Sequence, residues 1–233
     1  YNDIKLYSHQ KNIFDLMKKK QKKLILYQAP TGTGKTLTPV GLTNEYIVLF
    51  VCAAKHIGLQ LAKSCISMEI PIGVAFGCEV SADIRLHYFA AKDFVKHRRT
   101  GGIFKVDNEN GEKVKLIVSD IQSGNCAMNY LMAFNPVENI VLYWDEPTIT
   151  LDYRNHSFHE ILKNNWTKNM IPNIILSSAT LPDKDEINDM IKSFQTKFTD
   201  SMVYEVKSQD CDKTIPLVNN KNMVCNFIDN FSY

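Results

Sequence analysis

Residues Ala29 to Thr36 read Ala-Pro-Thr-Gly-Thr-Gly-Lys-Thr and follow an apolar run from Lys23 to Tyr27. Gripping a phosphate takes backbone N–H groups turned toward it, and Gly32 and Gly34 allow the φ values and close approach that make such a nest. Thr31 and Thr33 flank Gly32 within the loop. Lys35 supplies a point charge suited to β- and γ-phosphates, and Thr36 a hydroxyl suited to Mg²⁺. A helix beginning there adds its positive end. Strand, glycine loop and helix in that order are the setting that nucleotide binding requires. The plainer alternative is a glycine turn that binds nothing.

Splitting a nucleoside triphosphate takes more than a phosphate nest. Far downstream, the apolar run Ile140 to Trp144 ends in Asp145-Glu146-Pro147-Thr148. Asp145, at the carboxyl end of a strand, is placed to hold hydrated Mg²⁺, and Glu146 is the candidate general base for an attacking water. Standing alone, such a pair would read as the solvated start of a loop. Ser178-Ala179-Thr180 follows another apolar run, Ile174 to Ser177, and its hydroxyls suit either a capped turn or a link to the acidic loop. Gln10 lies on an expected first helix. Its carboxamide carries the donor and acceptor that an adenine edge requires, although an exposed helical glutamine fits the position equally well.

In order along the chain, Ala29–Thr36, Asp145–Thr148 and Ser178–Thr180 resemble motifs I, II and III of superfamily 2 DExD/H-type helicases, over about residues 5–205. The form A-x-x-G-x-G-K-T is that family's rather than that of kinases or small GTPases. The resemblance implies an amino-terminal, RecA-like motor domain that uses ATP and Mg²⁺. Its partners would be single-stranded RNA or DNA, and a second RecA-like domain in the parent protein. Ser178 and Thr180 would couple hydrolysis to strand separation, and Gln10 would act as the adenine-reading glutamine. Ala53-Ala54-Lys55-His56 resembles motif Ia, where Lys55 would meet a backbone phosphate. Gly101-Gly102 resembles the glycine contact that precedes motif Ib, and Ser119–Ser123 stands where motif Ib belongs.

Three departures leave the subfamily open: Pro147 and Thr148 in motif II, and the lack of the usual proline before Gln10. Ser-Ala-Thr-Leu-Pro is most similar to RNA-helicase versions, which puts RNA before DNA. Motifs IV to VI find no match after residue 205, and the chain opens on Tyr1 rather than methionine, as an excised or processed piece would. It is therefore expected to bind Mg-ATP weakly, hydrolyse it slowly and unwind nothing alone. The alternatives are a stand-alone phosphotransferase acting on a small molecule, and a regulatory domain that binds nucleotide without turnover.

The elements needed to position these residues are legible as apolar runs alternating with helical patterns, the signature of βαβ units and a mostly parallel α/β sheet covered on both faces by helices. Strands are expected at 23–27, 47–52, 72–76, 115–119, 140–144 and 174–177, with a last one at 202–206. Helices are expected at 8–19, 35–45, 56–65, 81–96, 123–134, 155–165 and 185–194. Around Asn110-Gly111, residues 103–118 read as a projecting β-hairpin insertion. The expected domain covers 1–205, with 206–233 as a tail or linker.

With 45% hydrophobic and 22% charged residues, a sizeable core is affordable. A net charge of +2 excludes long-range attraction of nucleic acid by the whole molecule, so any binding must be local. The lysines from Lys18 to Lys23 suit a helix carboxyl end, and Lys96 to Arg99 form a second basic cluster. Six cysteines without a C-x-x-C pair, and no apolar stretch of bilayer length, point to a soluble protein of the cytoplasm or nucleus.

Overall fold

The computed structural model describes residues 6–208, apart from 31, 98, 149, 151, 152 and 154. Thr31, Arg98, Cys211, Cys225 and nearly all of the 206–233 tail lie outside the described residues. The strands are β1 (Lys23–Gln28), β2 (Ile47–Cys52), β3 (Ile72–Ala75), β4 (Arg85–Leu86), β5 (Phe94–Lys96), β6 (Ile103–Val106), β7 (Leu116–Asp120), β8 (Ile140–Asp145), β9 (Asn173–Ser178) and β10 (Met202–Lys207). The helices are α1 (Ser8–Met17), α2 (Thr38–Leu42), α3 (Lys55–Ser67), α4 (Gly124–Met132), α5 (Phe158–Lys168) and α6 (Asn188–Lys197).

Eight strands form one sheet in the order β10-β1-β9-β8-β2-β7-β3-β4, parallel except for β4. The alternation of side chains along each central strand divides the core in two. Ile25, Tyr27, Phe50, Val118, Val141 and Tyr143 pack under α1, α2 and α3. Leu24, Leu26, Leu49, Leu142, Trp144 and Leu176 pack on the other face, under α4, α5 and α6. Strands covered on both sides have no polar face to show, so their sequences are apolar throughout. At the end of α1, the buried ammonium of Lys23 donates to the carbonyls of Met17, at 3.1 Å, and Lys19. That lysine closes the helix carboxyl end from within the first strand.

Two expectations are corrected. No helix spans 81–96: a 3₁₀ turn (Ser81–Asp83) leads into β4 and then β5. Ile84 and Leu86 are buried while Asp83 and Arg85 face out, a period of two that suits extended chain. The hairpin is also built differently, because β6 pairs antiparallel with β5 rather than with 114–118. β7 is buried at every position and is claimed by the main sheet, between β2 and β3. The last strand, β10, pairs along its full length with β1 and reaches Lys207. Among the described residues, no helix is long and apolar enough to cross a membrane.

Candidate functional site

The parallel register brings the carboxyl ends of three strands side by side: Gln28 of β1 pairs with Ser178 of β9, and Asp145 of β8 pairs with Ser177. Loops leaving one edge of an open α/β sheet converge there, which is where such folds carry their ligands. Gly32 and Gly34 both hold positive φ, 85° and 76°, so the loop after β1 curls as a phosphate nest must. A Cβ on Gly34 would also stand 2.9 Å from the Gln10 carboxamide nitrogen and displace it from the loop. Lys35 opens the following 3₁₀ turn, with Thr36 half-buried beside it.

Glu146 meets Lys35 across this edge, with Nζ to Oε1 at 3.8 Å. Its backbone is left-handed, φ 49°, a conformation that costs a non-glycine residue on the order of 1 kcal/mol and recurs at working sites. Held by its N–H bond to the Ser177 carbonyl, the kink accompanies a carboxylate turned onto the Ser178 loop. Ser178 Oγ donates to Oε2 at 2.5 Å, and the Ala179 N–H donates to Oε1 at 3.2 Å. The Thr180 N–H donates to Ser178 Oγ, and Thr148 Oγ1 donates to the Thr180 carbonyl at 3.4 Å. The loops after β8 and β9 are thereby stitched together, chiefly through the Glu146 carboxylate.

The electrostatics match the crowding. Burial pulls the Lys35 ammonium below its ordinary value, against the opposing pull of Glu146 and Asp145. Burial pushes Asp145 up to about 6, helped by repulsion from Glu146 and resisted by Lys35. A carboxylate costly to ionise is one that a cation would stabilise. In the structure Lys35 donates to the Ala29 carbonyl at 2.5 Å, folding across the mouth of its own loop.

The donor set can be tested against ATP and Mg²⁺. A nest of two positive-φ glycines, a buried ammonium and a hydroxyl beside a destabilised carboxylate suits a magnesium-bound polyphosphate. Mg²⁺ commonly takes only one or two protein ligands and keeps its waters. Among the described residues no cluster of three or more His, Cys, Asp and Glu side chains could hold a metal by itself. The residues fit the pair, with phosphates completing the coordination.

Other expected site residues have partners of their own. Gln10 is buried; its Oε1 accepts from the Tyr7 N–H and its Nε2 donates to the Gly34 carbonyl at 3.1 Å. Through these bonds it braces the glycine loop. Thr33 Oγ1 donates to the Pro30 carbonyl. Lys55 pairs with Asp120 at 3.1 Å, so the lysine expected on a phosphate is engaged within the protein. Burial alone would raise Asp120, yet bonds from Ser123, Lys55 and the Gly77 N–H hold it below the usual carboxylate range. Gly101 and Gly102 lie in the turn between β5 and β6; a Cβ on Gly101 would meet nothing within 4 Å and one on Gly102 only the Thr100 hydroxyl, so neither packs on the Ser119–Ser123 loop that resembles motif Ib. Sequence reasoning missed Tyr143, whose buried hydroxyl donates to the Lys35 carbonyl at 2.8 Å, and Gln28, whose amide donates to the Ala179 carbonyl. Nothing short of strand order reveals either.

The family model described as type III restriction enzyme, res subunit, matches residues 3–183. No curated protein matches the chain by sequence. Among solved structures, the chain resembles a hypothetical ATP-dependent RNA helicase from Sulfolobus tokodaii, with 15% identity and a TM-score of 0.52, over 88% of this chain and 54% of that one. A DEAD box protein from Methanococcus jannaschii is 15% identical with a TM-score of 0.48, over 89% of this chain and 56% of that one. The Hef helicase domain from Pyrococcus furiosus is 18% identical with a TM-score of 0.46, over 86% and 38%. The chain thus spans about half the length of the Sulfolobus structure, and that likeness bears on the fold.

Proposed function

The chain belongs to the type III restriction enzyme, res subunit family and has the RecA-like fold of a DExD/H-type helicase domain, and on that premise we propose that it is the ATP-binding motor domain of a nucleic-acid helicase or translocase. The observation that carries the reading is the meeting of Lys35 and Glu146. They lie far apart in sequence, stand 3.8 Å apart in space, and have the Ser178 loop bonded to the same carboxylate.

Bound Mg-ATP would supply the phosphoryl group whose hydrolysis drives the motor. The backbone of Gly32 to Thr36, with Thr31 and Thr33, would line the phosphates, and Lys35 would swing from the Ala29 carbonyl to the β- and γ-oxygens. Thr36 and Asp145 would hold the magnesium. Glu146 would take a proton from the attacking water, with Ser178 on Oε2 and the Ala179 N–H on Oε1 orienting the carboxylate for that transfer. Ser178 and Thr180, tied to the acidic loop, would carry its state toward the nucleic acid. RNA is placed before DNA on the similarity of Ser178–Pro182 to RNA-helicase sequences. A second RecA-like domain in the parent protein would contribute the arginine that stabilises transferred charge, worth about 10³- to 10⁵-fold in related systems.

Phosphate release by the wild-type chain and by Glu146→Gln, with and without single-stranded oligonucleotide, tests this. Loss of the base is expected to lower turnover by about 10²- to 10⁴-fold while Mg-ATP still binds. Turnover untouched by Glu146→Gln would overturn the assignment.

A further inference from the structure

β5 and β6 form a two-stranded sheet of their own, paired to no strand of the main sheet. A ribbon of this kind is marginal in water by itself. At its base, Phe94 packs edge-on against Tyr88, with ring centroids 5.4 Å apart, in a cluster with His87 and Phe89. All of β5 is nevertheless exposed. Phe94, Val95 and Ile103 are 40%, 53% and 37% accessible, an apolar set that a solvated turn has no reason to show.

The charges around it are as unbalanced as the burial. Residues 92–106 hold Lys92, Lys96, Arg98, Arg99 and Lys105 against Asp93, a net +4 in a chain whose total is +2, so the remainder is net negative. Lys92, Lys96, Arg99 and Lys105 form no ion pair with any described residue. Elsewhere Lys35, Lys55, Lys184 and Lys207 each have a carboxylate within 4 Å. The Lys96 ammonium instead sits 5.7 Å from the Phe94 ring centroid, joining cation and aromatic in one surface. Gly101, at φ 68°, turns the chain between the strands, and a Cβ there would meet nothing within 4 Å.

We propose that the β5–β6 ribbon is a nucleic-acid-binding arm that grips single-stranded backbone with Lys96, Arg99 and Lys105 and offers Phe94 and Val95 to unstacked bases. Unpaired cations beside exposed apolar side chains are the combination that single strands recognise: phosphates for the charges, base faces for the ring. Lysines that only kept an edge soluble would not need an exposed phenylalanine and valine among them. An acidic protein partner would satisfy the charge and leave the ring unexplained. The arm deepens the helicase reading and rests on it for its partner, yet it involves none of the residues assigned to nucleotide.

The test is fluorescence anisotropy with an end-labelled mixed-sequence single strand, and with the same strand as a duplex, across a salt series. It compares the wild type with Lys96→Ala/Arg99→Ala/Lys105→Ala and with Phe94→Ala/Val95→Ala. The triple variant is expected to lose roughly 100-fold in single-strand affinity at 0.1 M salt, and about 2 from the slope of log affinity against log salt, on three phosphates at about 0.7 each. The double variant is expected to weaken the single strand more than the duplex, with its salt slope intact. Mg-ATP affinity, unchanged in both, shows that the fold is sound. Wild-type affinity and slope in the triple variant would overturn the proposal. So would equal or tighter binding of polyglutamate than of the oligonucleotide, which would assign the arm to an acidic protein. Failure of the helicase reading would show separately, as Mg-ATP binding that ignores Lys35.

Discussion

Lys35 and Lys105 are the same residue in opposite circumstances. Lys35 is 7% exposed, bonded to the Ala29 carbonyl and faced by Glu146. Lys105 stands exposed on a ribbon outside the main sheet, with no carboxylate of a described residue within 4 Å. At the carboxyl edge of β1, β8 and β9, charge is costly, and Lys35, Glu146 and Ser178 are held by one another or by backbone, as pre-organised chemistry requires. On the β5–β6 ribbon, charge is cheap and left unspent, as a surface awaiting a polyanion requires. One molecule thus keeps two kinds of cation: one tuned by burial, the other kept free of it.

If that contrast is real, small changes at the buried edge should have large functional consequences. The largest after loss of the base itself is Ser178→Ala. It removes a hydroxyl bonded to a carboxylate, an interaction worth about 1.5–3 kcal/mol, so ATP turnover should fall by roughly 10- to 100-fold. Mg-ATP affinity should hardly move. A Ser178→Ala chain with wild-type turnover would show that the stitched loops do not orient the base.

A smaller effect, of opposite sign, is expected for Asp145→Asn. Folding raises this carboxyl from 3.8 to about 6, so between those values the native state holds a proton that the unfolded chain has released. Its contribution to stability therefore falls as pH climbs from about 4 to 6 and stays low above that. Without nucleotide or metal, Asp145→Asn should gain on the order of 1–2 kcal/mol at pH 7, discounted because Lys35 loses a neighbouring charge. That corresponds to roughly 3 °C in Tm per kcal/mol, measured by thermal unfolding. A lower Tm for the variant would mean that the edge is not strained by its own acids.

The buried half of the comparison was legible in the sequence, and the exposed half was not. Ile47–Cys52 and Ile140–Asp145 read as strands because both faces are covered, and the glycine loop after β1 lies where its sequence predicts, with Gly32 and Gly34 at positive φ. The ribbon was misread because β5 has only three residues, too few to show a period. Asn110-Gly111 misled for a different reason. Gly111 makes no left-handed turn; a Cβ there would stand 2.6 Å from the Tyr130 ring, so the glycine serves close packing. The Lys55–Asp120 pair depends on β2 lying beside β7, a neighbour relation no local pattern carries. Gln10 was legible for its chemistry, but not its bond to the Gly34 carbonyl, which depends on where helix α1 sets it.

The central claim is that the loop around Lys35 and the acids after β8 form one nucleotide site. Calorimetric titration of Mg-ATP into the wild-type chain and Lys35→Ala addresses it most directly. A lost charge-assisted contact should weaken binding by roughly 10- to 100-fold. Equal affinity in the two proteins would contradict the account.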